Sequence, residues 1–280
     1  MLKHRVGDEI RFVAQPDHAA LAGLLAAHWG GGDFAPPGGY APCEDPEALR
    51  AETIFGIAQH DNGWWESEAD PELDAADSLP QHFLDSTLEQ SLERWTRGVA
   101  RFFEPHPYAA LLISHHAYWL NAPKSDPGFE PTFSPRTAQG PQGELLEQFL
   151  EYRREDHRRL KDRLRQSAWG AAAVEPALLN PHVRLLQTLD RISLRVCSGS
   201  EEGADLPGVP VRGWDDRGAL RLESAGRDQW TLSPYPLDQD PLEAAVPARV
   251  IADGDRPGDE FASWWAAQPV RLLPIRLGSA

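Results

Sequence analysis

The stretch DPEALRAETIFGIAQHDNG, residues 45–63, contains a complete helix signal. Asp45-Pro46 is a typical helix start, because an aspartate side chain caps free backbone N–H groups and proline fits the first helical turn. From Leu49 to His60, side chains that can face a core recur at helical spacing. Asn62-Gly63 is a typical helix stop. The stretch therefore predicts a helix whose C-terminal end carries the pair His60-Asp61.

Similar patterns predict five further helices, so we expect a mainly α protein. The predicted helices run from about Pro16 to Gly30, Ser86 to Pro105, Pro107 to Leu120, Glu144 to Ser167 and Asn180 to Gly199. The segment between residues 121 and 141 is rich in proline, glycine and polar residues and is predicted to be a loop.

Short strands replace the helices beyond residue 200. The alternation of apolar and polar residues predicts strands near residues 219–223, 230–232, 248–251 and 270–277, and a hairpin over residues 4–15. We expect a small antiparallel β portion made of these C-terminal strands and the N-terminal hairpin. The predicted organisation is a helical domain over residues 1–199, with a β-rich portion over residues 200–280 packed on it.

The charge balance excludes one class of partner. The chain has 43 acidic and 27 basic residues and a formal net charge of -16, whereas a protein that binds a nucleic-acid backbone needs a basic face. A small anionic, phosphorylated substrate remains possible, because a bound metal ion can supply local positive charge. The simplest interpretation of the charge is a solvated acidic surface.

The composition also bears on the compartment. Two cysteines are too few for a disulfide framework, and neither a signal-peptide stretch nor a membrane-spanning apolar run is evident. We therefore expect a cytoplasmic protein that does not associate with membranes. A homodimer is possible.

Histidines and aspartates form an ordered pattern along the predicted helices. Several of the ten histidines lie on apolar helices rather than on charged segments. Imidazole and carboxylate groups bind zinc, iron, manganese and nickel, and facing helices often build such a site in their common core. A carboxylate in the middle of an apolar helix is costly unless it is paired or ligates a metal. In chain order, the candidates are His18, His60-Asp61, His82, His115-His116 and Asp190.

At these residues the chain resembles a known superfamily. The order His18, His60-Asp61 and Asp190 is similar to the His…His-Asp…Asp signature of the HD superfamily, which comprises helical, metal-dependent phosphohydrolases. With His82 and His115 in between, the pattern looks like the dinuclear branch. That branch includes cyclic-dinucleotide phosphodiesterases of the HD-GYP type and mixed-valent diiron oxygenases such as the inositol oxygenase.

Three segments also look like an uncharacterised bacterial family, a domain of unknown function. They are QPDH at residues 15–18, HDNGW at residues 60–64 and LDRISL at residues 189–194. The resemblance covers about residues 10–197 and implies an HD-domain-like helical bundle.

The resemblance also implies a set of metal ligands. One ion would be held by His18, His60, Asp61 and Asp190. A second ion would be held by His82 and His115, with Asp61 as a bridge. The cofactor would thus be one or two divalent ions of iron, manganese, zinc or nickel.

Each candidate residue also has a simpler interpretation. His60 suits a helix C-terminus, His18 an exposed first turn and His82 a loop. His115 can be a core histidine, and Asp190 can pair with Arg184 or Arg191.

Two further residues are candidates for catalysis together with Asp61. His116 points about 100° away from His115 on a helix, so it is a partner of a ligand, a substrate contact or an alternative ligand. Lys124 lies in the predicted loop and could meet an anion, although a solvated loop lysine is the simpler interpretation.

The function expected from these residues is metal-dependent hydrolysis of a small phosphate ester or phosphoanhydride by a metal-activated water. A diiron oxygenase on the same ligands and a non-catalytic helical binding protein are the alternatives.

Overall fold

Helices fill most of the chain between residues 15 and 197 in the computed structural model, which describes residues 1–122, 138–258 and 260–280. All six predicted helices are present. The helices are α1 (Gln15–Ala27), α2 (Pro46–Ala58), α3 (Trp65–Ala69), α4 (Leu88–Phe102), α5 (Pro107–Asn121), α6 (Pro141–Leu164), α7 (Ala168–Ala173), α8 (Pro176–Cys197) and α9 (Phe261–Ala267), with 3-10 turns at Asn62–Trp64 and Phe83–Asp85. Within the described ranges, no helix is both long enough and apolar enough to cross a membrane.

Seven strands form one sheet. They are β1 (Leu2–Val6), β2 (Glu9–Val13), β3 (Ala204–Pro210), β4 (Arg217–Gly226), β5 (Gln229–Ser233), β6 (Leu242–Ala252) and β7 (Val270–Ser279). Their order is β1-β2-β6-β7-β5-β4-β3. The sheet is mixed, because β5 and β7 run parallel while the other neighbours are antiparallel.

The prediction of a mainly α, all-helical bundle with a small antiparallel β portion is wrong. The chain is 48% helix and 22% strand, and its seven-stranded sheet curls into a half-barrel, so the fold is α/β. Pro207 lies inside β3, which was not predicted, and Pro247 lies inside β6, of which only residues 248–251 were predicted; proline argues against a strand interior, because it lacks a backbone N–H. The sheet also takes in β1 and β2, with Ile10 opposite Ile251.

The central helix of the fold is α8. It packs against α1 and α5 and also against strand β3 of the sheet. Leu185, Leu186, Leu189 and Ile192 are fully buried. Because α8 is enclosed by helices and by the sheet, Asp190 in its middle lies in the interior.

Close contact between α1 and α2 brings together the two segments that carry His18 and His60. A Cβ atom on Gly23 of α1 would lie 2.8 Å from the Cα atom of Ala58 in α2, and closer still to its Cβ atom. Only glycine lets the two helix backbones approach this closely without a shift.

Gly23→Ala should therefore destabilise the fold, although alanine favours helices. Overpacking of this kind costs about 1–3 kcal/mol, to be measured as the free energy of unfolding in urea. Gly254→Ala is the matched control, because nothing lies within 4 Å of a Cβ atom at Gly254. A Gly23→Ala protein as stable as the control would contradict this account of the helix contact.

Candidate metal centre

Five buried side chains converge beside α8. His18 lies on the first turn of α1, His60 and Asp61 follow the end of α2, His116 lies on α5 and Asp190 lies on α8. None of the five is more than 7% exposed. Residues that are 172 positions apart in the chain, His18 and Asp190, thus share one buried cluster.

The donor atoms of this cluster form two overlapping groups that could hold a metal ion. One consists of His18, His60 and Asp61, and the other of His60, His116 and Asp190; within each group the donor atoms lie within 4.8 Å of one another. Nε2 of His18 is 3.3 Å from Oδ2 of Asp61, and Nε2 of His60 is 3.3 Å from Oδ1 of Asp190. Nε2 of His116 is 3.9 Å from Oδ2 of Asp190.

His60 is held in an orientation that suits a ligand. Its Nδ1–H donates to the carbonyl oxygen of Ile57 over 2.7 Å, which leaves Nε2 to face the cluster. Metal-binding histidines are commonly fixed in this way through their other ring nitrogen. Because Nε2 has one lone pair, His60 can bind one ion only. The two groups share His60, so they cannot each hold an ion of their own.

The charges of the cluster are set by burial and by mutual contact. Burial alone would lower the pKa of His60, but the adjacent carboxylates raise it to about 9. Burial raises the pKa of Asp61 to about 7. Burial would also raise the pKa of Asp190, but the hydrogen bond from His60 outweighs this and lowers it. Burial lowers the pKa values of His18 and His116 to about 3, so both imidazoles are neutral at physiological pH.

Neutral imidazoles and carboxylates are the forms that bind metals. Within the described part of the chain, Asp61 and Asp190 form ion pairs with histidines alone. A divalent cation would therefore compensate two buried carboxylates that have no lysine or arginine partner in those ranges.

Gln15 is a neighbour that the sequence did not single out. It lies directly before Pro16 at the start of α1 and is 1% exposed. In the metal-free protein its Oε1 accepts a hydrogen bond from Nε2 of His18 over 2.9 Å; an ion bound at that nitrogen would replace the proton and this hydrogen bond. Its own Nε2 has no partner among the described residues. Gln15 lies three positions before His18, and this spacing places both residues on one face of a helix. That spacing was the signal from which the contact could have been predicted.

A cavity of about 200 Å³ opens beside the cluster. Asp61, His116 and Asp190 form one side of it, and Gln15 contributes to the same lining. The remaining lining comes from six apolar side chains and a serine: Trp64, Phe83, Leu84, Ser91, Trp95, Leu120 and Leu194. The cluster is therefore accessible to a small molecule.

Two predicted site residues, His82 and His115, lie elsewhere. His82 caps the 3-10 turn at Phe83–Asp85, where its Nδ1 accepts from the backbone N–H of Leu84 over 3.3 Å. The ring of His115 stacks on that of His157 of α6, with centroids 3.8 Å apart. Neither belongs to the two groups of donor atoms. Lys124 lies outside the described residues.

The adjacent histidines of α5 offer a direct test of the ligand set. His116→Ala should weaken binding of Mn²⁺ or Zn²⁺ by at least about tenfold, since even the partners of metal ligands contribute 10–100-fold to affinity. His115→Ala should leave the affinity within about twofold, because His115 faces α6. Isothermal titration calorimetry measures both, and the melting temperatures show that each variant is folded. Equal effects of the two substitutions would contradict the assignment.

Metal affinity should rise with pH. A ligating imidazole must lose its proton, and His60, with a pKa of about 9, keeps it at pH 7 in the metal-free protein. The raised pKa means that protonated His60 stabilises the metal-free fold below about pH 6.5 and that this contribution is lost as the pH rises through 9. Titrations between pH 6 and 9 should therefore show increasing affinity and a growing difference in melting temperature between loaded and metal-free protein. A pH-independent affinity would contradict this.

A comparison with known proteins gives the family. A family model described as "Protein of unknown function (DUF3891)" matches residues 1–253. No curated protein and no solved structure matches the chain. All five residues of the cluster lie inside the matched range. The chain therefore belongs to the DUF3891 family.

Proposed function

We propose that the chain is a metal-dependent hydrolase that acts on a small phosphate ester or phosphoanhydride. The observation that supports this is the cluster itself: three imidazoles and two carboxylates are buried together, and three of these five residues, Asp61, His116 and Asp190, line a cavity. A purely structural role would not need this opening, since a structural metal site closes its coordination with protein ligands.

The ligands that we propose for the ion are His18, His60, Asp61 and Asp190, with His116 as a fifth donor. Nitrogen and oxygen donors without sulfur suit manganese, iron, zinc or nickel. One ion per chain is proposed, because His60 can serve only one. A bound divalent ion supplies Lewis acidity for the phosphoryl oxygen and a water molecule of lowered pKa.

Asp61 is placed to handle a proton, because it lines the cavity and burial raises its pKa to about 7, close to physiological pH. His116 also lines the cavity. Burial lowers its pKa to about 3, so it stays neutral and offers its lone pair to the ion rather than accepting a proton. The surrounding apolar side chains exclude bulk water and thereby strengthen these electrostatic interactions. The role expected of Lys124, contact with an anionic substrate, stays a prediction.

The resemblance to the HD superfamily is consistent with this proposal. The order His18, His60-Asp61, Asp190 is that of its signature, and these residues meet in space in the present fold. A diiron oxygenase would need a second iron, and the residues predicted to hold that iron, His82 and His115, lie outside the cluster. The HD assignment itself remains part of the proposal.

The proposal is tested by metal content and hydrolysis together. Purified protein should bind one divalent ion per chain and hydrolyse at least one member of a panel of phosphate monoesters, diesters and nucleotides. Chelation should abolish turnover, and added metal should restore it. Asp190→Asn should lower kcat by at least about 100-fold, because loss of a metal ligand removes the chemistry that the ion supplies.

Arg191→Gln is the matched control, since it changes the neighbouring residue of α8 and is not a donor of the cluster. Stoichiometric metal without turnover on any ester would contradict the hydrolase. The absence of bound metal, with a melting temperature unaffected by chelation, would favour the non-catalytic alternative.

A further inference from the structure

We propose that the cavity beside the metal centre selects substrates whose non-reacting part is an uncharged aromatic or aliphatic group, rather than a sugar or a polyphosphate. This inference rests on the proposed function and specifies its substrate class. It depends on the part of the cavity lining that lies away from the proposed metal ligands.

The walls away from the cluster are apolar. Trp64 and Trp95 pack edge to face with ring centroids 5.4 Å apart and belong to one buried apolar cluster with α4, α5 and α6. Phe83 and Leu84 of the second 3-10 turn form another part of the lining. A cavity of about 150 Å³ with such walls is enough to hold benzene, and the present cavity is about 200 Å³. One ring-sized group therefore fits.

The described lining contains no lysine or arginine, and its only ionisable side chains are Asp61, His116 and Asp190. A second anionic group on the substrate would lie among apolar walls without a cationic partner. Burial of an unpaired charge is strongly unfavourable. A polyphosphate or a carboxylate on the body of the substrate should therefore bind poorly.

Few polar groups of the lining are free to bind the non-reacting part of a substrate. The hydroxyl of Ser91 already donates to the carbonyl oxygen of Thr87 over 3.0 Å. Gln15 is buried, lines the cavity and keeps an amide N–H without a partner in the described ranges. One donor of this kind suits a single oxygen atom next to the reacting group, whereas a sugar would bring several hydroxyl groups that each need a partner.

The test measures binding of three inert probes to Mn²⁺-loaded protein by calorimetry: methylphosphonate, phenylphosphonate and 4-carboxyphenylphosphonate. Phenylphosphonate should bind at least about tenfold more tightly than methylphosphonate, because the ring is removed from water. The carboxylate should cancel most of that gain. Equal affinities for the methyl and phenyl probes, tighter binding of the carboxylated probe, or no binding of any probe would overturn the inference.

A positive charge at the exposed edge of the cavity should favour the carboxylated probe. Leu84 lines the cavity but is 66% exposed, so Leu84→Arg can be made without disturbing the core. It should strengthen binding of 4-carboxyphenylphosphonate by at least about fivefold, as expected for a hydrogen-bonded ion pair, and change binding of methylphosphonate little. Leu272→Arg is the matched control, since Leu272 is 68% exposed on β7 and should alter neither affinity. No difference between the two arginine variants would overturn the inference.

The outcomes separate this inference from the proposed function. Preference for phenylphosphonate without hydrolysis of any ester would leave the cavity assignment standing and remove the hydrolase. Hydrolysis that is equally efficient for aromatic, aliphatic and sugar phosphates would support the hydrolase and overturn the proposed selectivity of the cavity.

Discussion

Two carboxylates, Asp61 and Asp190, lie in the interior, and their ion-pair partners among the residues that the structure describes are all imidazoles. Burying a carboxylate is costly unless it is paired or binds a metal. Protonated His60 compensates one charge in the metal-free protein, and Asp61 responds to the remaining cost by a raised pKa. The arrangement is therefore costly for the stability of the fold, and a divalent cation bound by these donors would offset that cost.

The fold serves this constraint by enclosing α8. Because α8 packs against α1, α5 and the sheet, Asp190 cannot turn to solvent, and the donors on α1, α5 and the end of α2 are brought to it. The close approach at Gly23 sets the distance between the helices of His18 and His60. The cavity that opens beside the cluster is the feature on which the proposed catalytic role depends, because a structural metal site closes its coordination with protein ligands.

The sequence predicted the helices well and the sheet poorly. Capping residues and helical periodicity are local signals, so α2 could be found from Asp45-Pro46 and from the stop at Asn62-Gly63. The sheet depends on pairing between distant segments, such as β2 with β6 and β5 with β7. A local sequence pattern does not indicate which distant strand a segment pairs with. Proline also concealed β3, at Pro207, and the first half of β6, at Pro247.

Only the part of the candidate site that leaves a local signal in the sequence could be predicted. Buried polar residues on apolar helices, such as Asp190, stand out without a structure. The choice between His115 and His116 depends on which face of α5 meets α8, and the place of His82 depends on a turn, so sequence alone could not settle either. Gln15 was missed because its role arises from a contact with His18 rather than from an ionisable group.

Anomalous diffraction from crystals of the protein grown with Mn²⁺ or Zn²⁺ would show whether the buried cluster binds an ion. We expect a single strong peak among the five donors, within about 2.0–2.2 Å of Nε2 of His60 and of a carboxylate oxygen of Asp190. No peak in the cluster, or peaks only at exposed acidic residues, would contradict the proposed metal site.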